Sequence, residues 1–334
     1  MGVPFNRIQQ WQAMHGIPLA SSTQWDKVKE LWNKLRPICQ LLHQLSAESQ
    51  LTYFDDTGNR ILMKDSLVGR KGIYTTAMVS EVDGHSVYLY MTANQHAGEN
   101  LKRTLSSRET DEALITMCDA SSNNIPSGMN EELVARWIFC FCLVHGRRKF
   151  YEIFDFFEQE CGFVLEVLGR VYQNDSHCKQ HQLTPQERLD YHQEHSLGQL
   201  EALKNWLNNQ LLFKATEPNS NLGQAIQYML KHWKGLTQFC HHVGVPLDNS
   251  LCERAIKVVI RHRRNSLFYR TLQGANVGDD LMSLIQTAKQ NGVDAFDYLN
   301  QLQIYQSEVE ANPPDWLPWR YQETISRLQA ANAA

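Results

Sequence analysis

The sequence has no apolar run of 18 residues, and its first residues, Met1-Gly2-Val3-Pro4-Phe5-Asn6, lead into no apolar stretch. A membrane span and a secretion signal are therefore not expected. Disulfide spacing is missing too. The eight cysteines, at 39, 118, 140, 142, 161, 178, 240 and 252, fall mostly inside apolar patterns and read as reduced cytosolic thiols. No internal repeat and no low-complexity tract is found. Excess positive charge is also lacking: 32 Lys and Arg against 36 Asp and Glu leave a net charge of -4. A uniformly basic coat for nucleic acid is excluded, so any such contact must come from local patches.

One local patch stands out. After Glu253 no acidic residue occurs before Asp279, while Arg254, Lys257, Arg261, Arg263, Arg264 and Arg270 all do. Pro246 and the Asp248-Asn249-Ser250 cluster read as a helix start ahead of Leu251, Ala255, Val258 and Val259. On that helix Arg254, Lys257 and Arg261 fall on one face and form a basic stripe. A lone carboxylate beside such a stripe suits a divalent metal held against a phosphodiester. Ser250 and Glu253 also have the spacing of a capping box, in which the glutamate only bonds back to the helix start.

The chain of 334 residues allows two domains, or one with a large insertion. Periodicity predicts helices over 4–14 and 22–46, with Pro37 kinking or breaking the second. The pair suits part of a helix-turn-helix or simple packing on the body. A strand over 51–54 ends at Asp55-Asp56-Thr57-Gly58. Strands over 72–81 and 86–92 are joined by an Asp83-Gly84 turn. A helix over 97–107, a strand over 113–118 ending at Asp119, a short helix near 130–136 and a buried strand over 137–144 follow. Helices are predicted at 146–173, 185–213, 221–243, 249–264, 278–291 and 294–302, with 265–276 a loop. The proline-rich tail reads as irregular.

Three antiparallel strands, then helix, strand, helix, strand and helices, is the order of a ribonuclease H-like α/β domain with a mixed five-stranded sheet. On that reading 1–48 is an N-terminal helical region, and 49–145 with 246–304 form the catalytic domain. Residues 146–245 are an all-helical insertion and 305–334 a tail. Acids sit on the first strand, after the fourth and on a later helix of such a domain, and here those places hold Asp55, Asp119 and Glu253. Three converging carboxylates repel unless a cation neutralises them, which points to two Mg²⁺ or Mn²⁺ ions. Taken singly, Asp119 could be a helix cap and Asp55 a turn former.

The stretches Val245–Ile256, Arg263–Phe268, Ser283–Asp294 and Leu317-Pro318-Trp319 resemble the DDE transposases of the insertion sequence 66 family. Cys142-Leu143-Val144-His145-Gly146-Arg147-Arg148-Lys149-Phe150 resembles its Cys-x-x-His-x-Arg-Arg-Lys-Phe signature, and Phe54-Asp55-Asp56-Thr57 the segment carrying its first acid. Asp56 replaces a usual Glu, and Ala120-Ser121-Ser122 replaces a small residue and Tyr after the second acid. The resemblance implies metal-dependent cleavage and strand transfer of double-stranded DNA by Asp55, Asp119 and Glu253. It also implies Asp56, Cys142, His145 and Asn249 as supports of the site, a homodimer or higher oligomer on DNA, and a nucleoid-associated cytoplasmic location. Longer members carry an N-terminal zinc-binding segment and helical leader; neither precedes Met1, so a short relative or a fragment with weakened terminal-DNA recognition is expected. A nuclease without joining activity and a decayed DNA-binding accessory protein are the alternatives.

Cys142 and His145 could ligate zinc but supply two of four ligands, with no second pair at ordinary spacing. Arg147, Arg148 and Lys149 offer phosphate contacts alongside Arg254, Lys257, Arg261, Arg263 and Arg264, or a solvated helix start. The aromatic run from Phe150 to Phe157 suits a core better than base stacking.

Overall fold

The computed structural model describes residues 2–63, 72–129 and 131–333. Helices α1 (Phe5–Met14) and α2 (Ser21–Glu48) come first. Three strands follow: β1 (Leu51–Asn59), β2 (Ile73–Val82) and β3 (His85–Ala93), then α3 (Ala97–Leu105). Next are β4 (Leu114–Cys118), α4 (Glu131–Ala135) and β5 (Trp137–Phe141); residue 130 of the helix predicted at 130–136 lies outside the described residues. Helices α5 (Leu143–Tyr151), α6 (Glu158–Gln180), α7 (Pro185–His195), α8 (Leu197–Leu212) and α9 (Asn221–Leu236) form a block. The chain closes with α10 (Ser250–Ser266), α11 (Leu272–Gln290), α12 (Ala295–Ile304), α13 (Gln306–Ala311) and α14 (Tyr321–Ala333). Strands of both senses with flanking helices make this a mixed α/β protein.

The chain divides into two compact units. The first comprises Met1–Glu112, Asn123–Met129 and Leu251–Ala334. Its strands pair antiparallel, with Asp55 opposite Ala77 and Thr75 opposite Thr92. The β2–β3 turn has Asp83 at φ 49° and Gly84 at φ 77°, the two successive positive φ values that a tight hairpin needs. Helix α11 and its C-terminal cap cover the free edge of β3 with Asp279, Ser283, Thr287 and the cap residue Asn291, four residues apart. Their side-chain oxygens accept the N–H groups of Thr92, Tyr90, Tyr88 and Ser86 at 2.5, 2.9, 3.0 and 3.2 Å. An edge that would otherwise recruit another strand is thereby closed.

The second unit comprises Ala113–Ser122 and Asn130–Ser250. Here β4 and β5 pair in parallel, Cys118 opposite Phe141, and α5–α9 pack around Phe150, Val164, Leu168, Leu203, Ile226 and Phe239, each buried. Each such side chain contributes about 1.5–3 kcal/mol on leaving water. Two glycines set the spacing. A Cβ on Gly146 would meet Met229 Sδ, and one on Gly235 the Phe141 ring, so α5, α9 and β5 approach through bare backbone.

Several expectations are corrected. Pro37 sits inside α2 without ending it, because Leu35, Ile38, Cys39 and Leu42 around it are buried. Strand β1 runs past Asp55 to Asn59. Leu143 and Val144 open α5 instead of ending a strand. The helices predicted at 146–173 and 185–213 are each two, separated at Phe154–Phe156 and Ser196. Part of the 265–276 loop is helical, and the tail is α13, a short turn at Pro313–Trp316 and α14. Buried Trp316 and Tyr321 anchor it. All eight cysteines are free and buried. No helix among the described residues is long and apolar enough to cross a membrane.

Candidate active site

In the first unit, neighbouring residues of β1 face opposite sides, as strand geometry requires. Asp56 turns toward α3: its Oδ2 lies 2.9 Å from His96 Nδ1 and accepts the Ala97 N–H at 3.3 Å. Asp55 turns toward α10. Ala77, its partner on β2, offers a carbonyl to which Cys252 Sγ donates at 3.3 Å, and this bond pins the first turn of α10 to the sheet at the level of Asp55. Burial raises the Cys252 thiol pKa well above its ordinary value, and the charges of Asp55 and Glu253 add to that rise. Two of the three predicted acids thus bear on one buried sulfur.

Along the same helix Arg254, Lys257, Arg261 and Arg264 are exposed, as a phosphate-facing stripe requires. Arg263 is placed differently. Its guanidinium donates to the Gly58 carbonyl and to Thr57 Oγ1, tying the end of β1 to α10.

Asp119 lies in the second unit just past β4, where its Oδ1 accepts the Ser121 N–H at 2.9 Å in a local turn. Cys142 N–H donates to the Cys118 carbonyl at 2.8 Å, and Asn249 N–H donates to Cys142 Sγ at 3.3 Å. The buried Cys142 therefore fastens the segment entering α10 to the strand ends that carry Asp119. His145 follows in the first turn of α5. Lys149 sits over the Tyr228 ring at 5.5 Å and Arg147 over Tyr151 at 5.9 Å, so both cations are partly engaged by aromatic faces; Arg148 is exposed.

Tyr228 on α9 was not foreseen. Its phenol is pushed up to about 12, by burial first and then by the negative charge of Asp119, so a neutral hydroxyl stands in the field of that acid. A tyrosine inside an otherwise apolar helix stripe was the only sequence signal, and it does not name its partner. Burial likewise raises Tyr172, with Asp248 and Cys142 adding to the effect.

With this arrangement in view, comparison with known proteins is informative. Residues 1–277 match the family described as "Transposase IS66 family". The chain belongs to that family. Three uncharacterized proteins of Sinorhizobium fredii (strain NBRC 101917 / NGR234) are similar to it. One, y4hP, is 25% identical over 308 residues, covering 88% of this chain and 54% of the relative. A second, y4jD, is 30% identical over 185 residues, 54% of this chain and 35% of its own. The third, y4qI, is 34% identical over 108 residues, 30% of this chain and 19% of its own. The chain thus spans about half or less of the length of these relatives. No solved structure matches it.

Proposed function

We propose that this IS66-family chain is a metal-dependent DNA transposase of the DDE type, cutting and joining double-stranded DNA through Asp55, Asp119 and Glu253 on a ribonuclease H-like fold. The observation that carries the reading is the placement of Asp55 on β1 and Glu253 on α10 around the same buried thiol. A strand acid and a helix acid, far apart in sequence, share one local environment there.

Carboxylate oxygens are the hard ligands that Mg²⁺ and Mn²⁺ take, so Asp55, Asp119 and Glu253 would suit those ions. When bound, the ions would neutralise the acids, activate the attacking oxygen and stabilise the leaving one. The chain's own residues do the rest. Arg254, Lys257, Arg261 and Arg264 bind backbone phosphate, giving affinity without sequence readout. Cys142 and Asn249 hold the entry to α10, and Asp56 braces the other face of β1 through α3. Arg263 fixes the end of β1, and Tyr228 offers a neutral hydroxyl beside Asp119. On DNA the chain acts as a dimer or higher oligomer.

The test uses duplex DNA carrying the terminal sequences of the element itself, with intact and precut ends. The unaltered chain is expected to nick intact ends and join precut ends only with Mg²⁺ or Mn²⁺. Asp119→Asn and Glu253→Gln should drop both reactions to background while DNA binding persists. Cleavage retained in either variant would remove that residue from the chemistry; nicking without joining would reduce the protein to a nuclease.

A further inference from the structure

The first unit holds an open cleft of about 610 Å³ lined by residues of α2, the end of β3, α3 and α11, and by neither Asp55 nor Glu253. That is the size of sites that take small organic ligands, roughly 300–1,000 Å³. Its chemistry is sorted by position. Arg36 and Arg103 are exposed and supply positive charge, while the buried Asp279 and half-buried Asp280 supply carboxyl groups from α11. Trp32 adds a large aromatic ring, oriented by the bond from its Nε1 to Asp280 Oδ2 at 2.6 Å, with the Arg36 guanidinium 5.6 Å from the ring centroid. His43 completes the wall, and burial lowers its pKa and so favours the neutral ring.

A simple anion would meet the arginines but face Asp280 unfavourably; a simple cation would be repelled by the arginines. The lining asks for a molecule with a hydrogen-bond-donating planar head and an anionic tail. We propose that this cleft binds a single nucleotide, with the donor edge of its base against Asp280, its ring beside Trp32 and its phosphate between Arg36 and Arg103. Guanine fits best, because its adjacent N–H and NH₂ donors match Asp280 Oδ1 and the remaining lone pair of Oδ2, which also accepts from Trp32 Nε1. Such a unit can come from a free nucleotide or from one extruded from a DNA strand, and the chemistry is shared. The site is separate from the proposed metal-binding acids and needs no metal.

Calorimetric titration of the full chain, in the presence of a chelator, separates these cases. Deoxyguanosine monophosphate is the first probe, with deoxythymidine monophosphate, inorganic phosphate and a short guanine-containing single strand as comparisons. One site per chain is expected, with quenching of tryptophan fluorescence that Trp32→Phe removes. Arg103→Ala, at an exposed position, should weaken binding at least tenfold. Asp280→Asn keeps an oxygen for Trp32 Nε1 and should abolish the preference for guanine over thymine. Binding of the strand but not the free nucleotide would assign the DNA source, and binding of both the free one. No binding of either, equal affinity for inorganic phosphate, or an unaltered Arg103→Ala would overturn the proposal. Repeating the titration with Glu253→Gln keeps the result independent of whether the chain cuts DNA.

Discussion

Asp175 on α6 and Asp279 on α11 are equally buried, each 3% exposed, yet they are driven in opposite directions. Burial opposes the charge of Asp175, but His192, Arg188 and Lys179 more than offset it and hold the carboxyl below its usual range. Arg188 Nη2 and Lys179 Nζ lie 2.8 and 2.6 Å from its oxygens. Asp279 accepts the Thr92 N–H and hydroxyl, at 2.5 and 2.8 Å, and burial pushes it up to about 7. The helical unit supplies its buried acid with cations; the sheet unit supplies its own with neutral donors. Cations keep the Asp175 carboxylate charged, whereas neutral donors leave burial to raise Asp279. Ser196, His192 and Asp175 even line up as a Ser–His–Asp chain, with Ser196 Oγ 2.9 Å from His192 Nδ1. Ser196 and His192 have no exposed surface, so no substrate reaches them and the network holds α6 to α7.

The comparison breaks most visibly at Arg188. Replacing it by Met strips Asp175 of one of its cations and also frees the Val245 carbonyl that Arg188 Nη1 holds at 2.6 Å. The expected loss is about 3–5 kcal/mol of unfolding free energy in urea titrations, the usual cost of removing one partner of a buried ion pair, with Lys179 and His192 still facing the acid. A smaller effect, up to about 4 kcal/mol, is expected from pH. The folded pKa of Asp279 lies above its unfolded value, so the fold loses stability as pH rises from about 4 to about 7. Asp175 acts with the opposite sign: its contribution is present above the unfolded carboxylate range and fades as the pH falls below about 4. Urea midpoints at pH 5 and 8 should converge in Asp279→Asn and stay apart in the unaltered chain. The smallest effect sharpens the picture of α11. Thr287→Val leaves the Tyr88 N–H without its acceptor and should cost about 1–3 kcal/mol, read from the same titrations.

Much of this was legible in the residues, where local chemistry acts alone. Asp83-Gly84 announced its hairpin, and the Asp248-Asn249-Ser250 cluster announced α10, where Asp248 Oδ1 accepts the Ser250 N–H at 2.9 Å. What failed to show depended on distant partners. Pro37 carries a penalty of about 3 kcal/mol inside a helix, and burial of its neighbours along α2 overrides it. The four-residue spacing of Asp279, Ser283, Thr287 and Asn291 was visible, but nothing in the sequence said that a strand edge would meet it. At the candidate site, Asp55 and Glu253 could be named from element order, whereas the opposite facing of Asp56 and the tethering of Arg263 to Gly58 needed coordinates. Tyr228 became visible only when α9 was packed beside the end of β4.

If Asp55 and Glu253 form a metal site, they should take up a divalent cation from solution. The direct measurement is Mn²⁺ titration of the full chain followed by electron paramagnetic resonance. The account predicts saturable binding that is lost in Asp55→Asn and in Glu253→Gln but kept in Asp280→Asn. Undiminished binding in the first two chains would contradict it.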